Sequence, residues 1–342
     1  MREIFTSLMG NHYIKDTLAA DLIAGKAAHG YILSGPAGSG KRTAARLIAA
    51  ASVCENRRSP AHPLPCGKCP GCHRILQDIS ADVLRISNGD KATISVEQIR
   101  QIRQSLYVTP NDGDRKFYII ENAHTMTVQA QNALLLSLEE PPAFVTFLLL
   151  TEDPASLLET IRSRAPVISM ELFPPDTVLE WIRSQKLPSS VLSDRERCTG
   201  AAVLSGGALG QAVLLLNEDE ARSEPLRMRK LALLMLEGIF KQRTSELLGT
   251  VTVELPGSRE SMRLAFTMLQ SALRDLISRK RKAEVSGQFL LGTEDVCRYA
   301  GKYSLSRLIA LYGCCDTALE RLDANGSIGP LVTSFLLQAK RV

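Results

Sequence analysis

Five short apolar runs punctuate the first half of the chain: residues 31–34, 82–86, 117–121, 146–151 and 166–170. Each is too short for a helix of its own, and between them apolar positions recur at helical spacing. That rhythm predicts a parallel sheet covered by helices over residues 1–170. The texture then changes. From "ELFPPDTVLEWIRSQK" to "GQAVLLLNED", three short helical patterns are separated by "LPSS" and "SGGALG" behind a Pro-Pro junction, predicting a small helical bundle over 171–220. Over 221–342, long Leu- and Arg-rich amphipathic segments predict an all-helical region. No internal repeat and no low-complexity tract interrupts this plan.

Composition narrows the class. The 342 residues are 45% hydrophobic, enough for a sizeable core and for two or three domains. A net charge of +5 permits local contact with nucleic acid without predicting it. The opening residues hold no apolar block of signal-peptide length, and "FVTFLLL" is too short to cross a bilayer. The expectation is a cytoplasmic chain with no membrane association, where thiols stay reduced and clustered cysteines hold metal.

Four of the eight cysteines are clustered. In "CENRRSPAHPLPCGKCPGC", Cys66, Cys69 and Cys72 form two overlapping CxxC pairs, and Cys54 stands twelve positions upstream. Four thiolates complete a closed tetrahedral Zn²⁺ site with no position left for water, so the spacing predicts a structural zinc. Cys198, Cys297, Cys314 and Cys315 lie in apolar helical contexts and read as core residues. His73, beside an already sufficient set, and His124 are not expected to bind metal.

"GPAGSGKRT" follows the first apolar run and precedes a helical pattern. Gly35, Gly38, Gly40 and Lys41 supply most of a phosphate-binding loop, in which glycines turn backbone N–H groups toward an anion and the lysine reaches the outer phosphates. Arg42 stands where a Ser or Thr hydroxyl would hold Mg²⁺, and Thr43 would point about 100° further round the helix. ATP and Mg²⁺ binding here is therefore left open, alongside a plain strand-to-helix connection. The run "FYIIE" ends in Glu121, which could reach a metal shell, but the next residue is Asn122, an amide that cannot act as a general base. The same stretch also reads as an ordinary turn in which Asn122 or Thr127 caps a helix.

The ordered set "YILSGPAGSGK", "CGKCPGC", "YIIENAHTMTVQAQNALLLSLEEPP", "FLLLTEDP" and "TIRSRAPVI" resembles the AAA+ subunits of the bacterial DNA polymerase III clamp loader over residues 4–215. The resemblance implies an α/β fold: an AAA+ P-loop core with an inserted zinc module (1–170, module 54–72), a helical lid (171–220) and an all-α collar that joins subunits (221–342). Motor subunits of the gamma/tau type carry Asp-Glu where this chain has Glu121-Asn122, Ser or Thr in place of Arg42, and a lid arginine where Gly210 falls. These departures resemble the delta-prime type, which implies no competent ATPase in the chain by itself. The implied partners are gamma/tau and delta subunits in a hetero-pentameric ring, the sliding clamp, and primed DNA through the complex.

The same resemblance makes Arg164 of "RSRA" an arginine finger for a neighbour's ATP, positioned by Ser163, with Ala165 where the family has Cys and Arg162 as a competitor. Thr151 resembles a polar sensor, although a strand-end threonine fits equally. Asn11 and His12 fall where the family's N-terminal segment approaches adenine. Arg100 and Arg103, three apart on one helical face, could meet DNA or a neighbour. The basic run 278–284 reads first as a solvated helix end and second as a DNA contact. The alternative functions are an ATP-hydrolysing gamma/tau motor and a non-enzymatic zinc scaffold.

Overall fold

The computed structural model describes residues 2–89, 91–111, 113–217, 223–241, 243–281, 301–324 and 327–341. Cys297, the end of the basic run (282–284) and the expected junction at Ala221 lie outside the described residues. The chain divides into two units, Met1–Glu171 and Leu172–Val342.

All five apolar runs of the first unit are strands: β1 (Gly30–Ser34), β2 (Val83–Ile86), β3 (Lys116–Ile120), β4 (Val145–Thr151) and β5 (Val167–Ser169). They form one parallel sheet in the order β2-β3-β4-β1-β5. Every residue of β1, β3 and β4 is buried, which is why these strands read as continuous apolar runs; the edge strands β2 and β5 are partly exposed.

The helices of this unit are α1 (Ala19–Ala24), α2 (Lys41–Ser52), α3 (Pro70–Leu76), α4 (Val96–Ser105), α5 (Val128–Glu139) and the single turn α6 (Glu159–Arg162). Alternation along the strands feeds two cores. Phe117, Ile119, Leu148 and Leu150 face one way, with Ala45, Ile48 and Ala49 of α2 and the four clustered cysteines. Tyr118, Ile120, Phe147 and Leu149 face the other, with Ile99 and Ile102 of α4 and Leu134 of α5. Ser95 opens α4 with a capping box to Gln98, and the Thr127 side chain caps α5 by accepting from the N–H of Ala130. The helix-capping alternative for Thr127 is thus realised.

In the second unit, α7 (Pro175–Ser184), α8 (Ser189–Ser193), α9 (Arg195–Leu204) and α10 (Leu209–Asn217) surround Val178, Ile182, Ala201, Ala212 and Leu215. The sequence pattern predicts three helices here. The additional α8 arises in the connector "LPSS", where the fixed φ of Pro188 sets up one turn. A separate core unites α11 (Glu224–Lys241), α12 (Thr244–Val253), α13 (Arg259–Lys280), α14 (Leu305–Asp323) and α15 (Ile328–Arg341) around Met235, Phe266, Leu269, Leu273 and Phe335. Phe266 and Phe335 meet edge to face at 5.0 Å. Cys198, Cys314 and Cys315 are buried, as expected. Arg279 and Lys280 occupy the last turn of α13, where cations complement the helix dipole. Among the described residues, no helix is long and apolar enough to cross a membrane.

Candidate functional site

The β1–α2 loop lies at the carboxyl edge of the sheet, where open parallel sheets bind ligands. Gly35 donates to the carbonyl of Thr151 at the end of β4 (3.1 Å). A Cβ at Gly35 would stand 2.7 Å from Ser39 Oγ and 3.1 Å from Met170 Cβ, so any side chain there would require its neighbours to shift. Gly38 (φ 73°) and Gly40 (φ 94°) are left-handed, and Gly40 caps α2, so the first turn of the helix opens onto the loop. The Lys41 ammonium folds back onto the carbonyls of Gly35 (2.5 Å) and Pro36 (2.8 Å), and burial pulls its pKa below the ordinary lysine value. Thr43 is half-buried one position beyond Arg42 on α2.

Arg42 and Glu121 meet directly. Its Nη2 donates to Oε2 of Glu121, a side chain only 9% exposed, while the arginine side chain stays 73% exposed. Sequence reading names both residues, but as separate features; their contact depends on β1 and β3 ending at one edge. The arrangement does not fit Mg²⁺. A guanidinium replaces the hydroxyl ligand, and it sits on the acidic side chain that would complete the metal's shell, placing a positive charge where a dication would have to go.

Nearby side chains are engaged locally. Asn122 is left-handed (φ 52°) and its amide donates to Asn88 Oδ1 at 3.1 Å. Thr151 is fully buried, and its hydroxyl donates to the Asp153 carbonyl at 2.8 Å. His124 Nδ1 accepts from the backbone of Glu152 at 3.3 Å. The backbone N–H groups of Asn11 and His12 both donate to the Glu171 carboxylate, at 2.6 and 2.7 Å.

The four clustered cysteines come together at the far end of α2. Cys54 follows the helix, Cys66 and Cys69 lie on the loop, and Cys72 is on α3, with Gly71 packed against Val53. All four are buried, and their sulfurs lie within 4.8 Å of one another. A Zn–S bond of about 2.3 Å in a tetrahedron separates sulfurs by about 3.8 Å, so the group is of the right size. Burial pushes the Cys66 thiol up, but N–H donors from Cys69 and Lys68 and the Asn56 amide outweigh it and bring it down to about 6. Burial, and then the neighbouring sulfurs of Cys69 and Cys66, push Cys72 up; burial also raises Cys54. Thiols whose ionisation burial opposes, as at Cys72 and Cys54, are stabilised as thiolates by a shared cation. The set fits a structural metal. His73 is exposed and is not part of it.

Arg164 lies elsewhere, just after α6. Its Nη1 donates to the Thr160 carbonyl at 3.0 Å and approaches Ser163 Oγ at 3.5 Å, and its Nη2 pairs with Glu139 Oε1 at 3.0 Å. Glu139, at the end of α5, is a neighbour that no motif points to. Arg162 and Ser163 are exposed as well. Ala165 is fully buried. Arg100 and Arg103 are exposed on α4.

Residues 10–174 match the family described as DNA polymerase III, delta subunit. The chain is 32% identical over 212 residues to DNA polymerase III subunit gamma of Buchnera aphidicola from Schizaphis graminum, covering 62% of this chain and 57% of that protein. It is 37% identical over 160 residues to the tau subunit of Bacillus subtilis, covering 47% of this chain and 28% of that one. The chain thus spans a little over half of the first relative and about a quarter of the second. Among solved structures, a DNA polymerase III gamma subunit-related protein from Thermotoga maritima superposes over 95% of this chain and 98% of its own, at 20% identity and a TM-score of 0.39. The loop and the parallel sheet thus lie within the stretch, residues 10–174, that is similar to the DNA polymerase III delta-subunit family and to the gamma and tau subunits.

Proposed function

We propose that the chain is a delta-prime-like subunit of the clamp loader, helping to load the sliding clamp onto primed DNA. In this reading its own pocket does not hydrolyse ATP, and Arg164 reaches the ATP of an adjacent subunit. The observation that carries it is the Arg42–Glu121 ion pair, which sets the metal's acidic ligand against an internal cation. Asn122 supports it, since an amide cannot activate water. A guanidinium is planar and permanently charged, suited to phosphate oxygens as charge shifts during phosphoryl transfer, and Arg164 is exposed enough to be offered outward. Ser163 steadies it. The four cysteines hold a structural Zn²⁺ that braces the end of α2.

The proposed organisation is a core over 1–170, a lid over 171–220 and a collar over 221–342, working in the cytoplasm in a hetero-pentameric ring with gamma/tau and delta subunits. The test is reconstitution with those partners. Arg164→Ala should cause a large drop in the DNA-stimulated ATPase of the assembly while Arg162→Ala does not; an unchanged rate with Arg164→Ala would leave a zinc scaffold without a finger. One observation favours a gamma/tau motor instead: the curated relatives reported above are gamma and tau subunits. Brisk ATP turnover by the isolated, zinc-loaded chain, lost with Lys41→Ala, would establish that reading.

A further inference from the structure

The misfit between this loop and Mg²⁺ has a positive side. The loop keeps a phosphate-binding backbone, with Gly38 and Gly40 left-handed at the start of the 12-residue helix α2. It also keeps Lys41, whose ammonium is held on the loop carbonyls of Gly35 and Pro36. Ser39, 8% exposed, places its Oγ inside the turn against Gly35, and that buried oxygen has no hydrogen-bond partner. A buried hydroxyl without a partner is costly in a finished core and expected in a site awaiting a ligand.

The charge balance identifies the ligand. Arg42 neutralises Glu121 through one Nη2 hydrogen bond, and its side chain remains 73% exposed beside the loop with further N–H donors available. With Glu121 already paired, the helix end, Lys41 and Arg42 make the loop an anion site that has no use for a divalent cation.

We propose that this loop takes a polyphosphate chain without metal, the Arg42 guanidinium standing where other phosphate-binding loops recruit Mg²⁺. The inference rests on the AAA+ core and not on the role of Arg164, and it requires no turnover. The ligand class is a di- or triphosphate, either of a nucleotide or inorganic.

The experiment titrates a fluorescent ATP analogue into the full-length, zinc-loaded chain, once in EDTA and once in excess Mg²⁺. The zinc is verified to survive the EDTA exposure. The expected result is binding in EDTA at least as tight as in Mg²⁺, weakened about tenfold or more by Arg42→Ala, which removes a charge-assisted phosphate contact. Arg42 is exposed, so the variant should fold; Arg42→Lys, which keeps the charge, should retain part of the affinity. Arg42→Thr, which frees Glu121 and restores a hydroxyl, should bind better with Mg²⁺ than without. Displacement of the analogue by inorganic tripolyphosphate as well as by ATP assigns the affinity to the phosphates alone, and displacement by ATP only assigns it to the nucleotide. No binding in EDTA, binding that needs Mg²⁺ in the wild type, or equal affinity for wild type and Arg42→Ala overturns the proposal. None of these outcomes bears on the Arg164→Ala test, so the two readings fail separately.

Discussion

Two arginine–glutamate pairs in the first unit look alike on paper and differ in physics. In Arg42–Glu121 the carboxylate is 9% exposed and the guanidinium 73%; in Arg164–Glu139 the figures are 47% and 37%. A buried carboxylate stripped of its cation is left with an uncompensated charge, so Arg42 is committed where it stands. An exposed carboxylate gives up its cation to water at little cost, so Arg164 can exchange Glu139 for another anion, as the proposed finger role requires. One arginine is fixed within its own pocket. The other is held ready at the surface.

The largest effect tests what supports the fixed arginine. α2 carries Arg42 at its first turn and runs into the cysteine group at its other end. Cys72→Ser should lose the zinc, read by metal analysis, and destabilise the first unit by more than about 4 kcal/mol, read by denaturant unfolding of that unit. A variant that keeps full stability without zinc would detach the metal group from the loop.

The next effect tests the surface arginine. In the reconstituted assembly, Arg164→Ala should reduce ATP hydrolysis at the one site it serves about a thousandfold or more, lowering the total rate by that site's share. Arg164→Lys should recover little, because an ammonium cannot reproduce the planar fork. The melting temperature of the isolated Arg164→Ala chain should not move. A thermal loss without a kinetic one would reverse the contrast, making Arg164 the structural arginine.

The same truncation at the other pair should behave the opposite way. Arg42→Ala leaves Glu121 buried without its cation, and should cost the first unit about 1–2 kcal/mol, the exposure of Arg42 keeping the figure low. The loss should be visible in urea unfolding, with the assembly's hydrolysis nearly unchanged. Equal stability losses for Arg42→Ala and Arg164→Ala would erase the distinction drawn from burial.

How much of this was legible in the sequence follows from the range of each interaction. All five strands could be read because buried parallel strands are continuous apolar runs, and the four cysteines because spacing alone brings three of them together. The loop could be read from its glycines and lysine. The link between Arg42 and Glu121 could not: the two are 79 positions apart, and only the order β3-β4-β1 brings the loop and the end of β3 to one edge. Glu139 lies 25 positions from Arg164 in a helix whose sequence looks like any amphipathic end. Ser39 reads as an ordinary loop residue, and only the folded turn buries its hydroxyl. The short helix α8 escaped because "LPSS" reads as a breaker, whereas proline can also open a helix.

The smallest effect concerns Glu139 itself. A pair between exposed partners contributes about 0–1 kcal/mol and is screened by salt. Glu139→Gln should therefore leave urea unfolding of the first unit unchanged within about 0.5 kcal/mol. In the assembly, releasing Arg164 from its neighbour should raise ATP hydrolysis at subsaturating ATP by no more than about fivefold, the equivalent of 1 kcal/mol. The gain should shrink as salt is raised, since salt already loosens the pair in the wild type, and it should vanish in an Arg164→Ala background, where there is nothing to release. A gain above tenfold, or one indifferent to salt, would mean that Glu139 grips Arg164 as firmly as Arg42 grips Glu121, and exposure would no longer separate the two arginines.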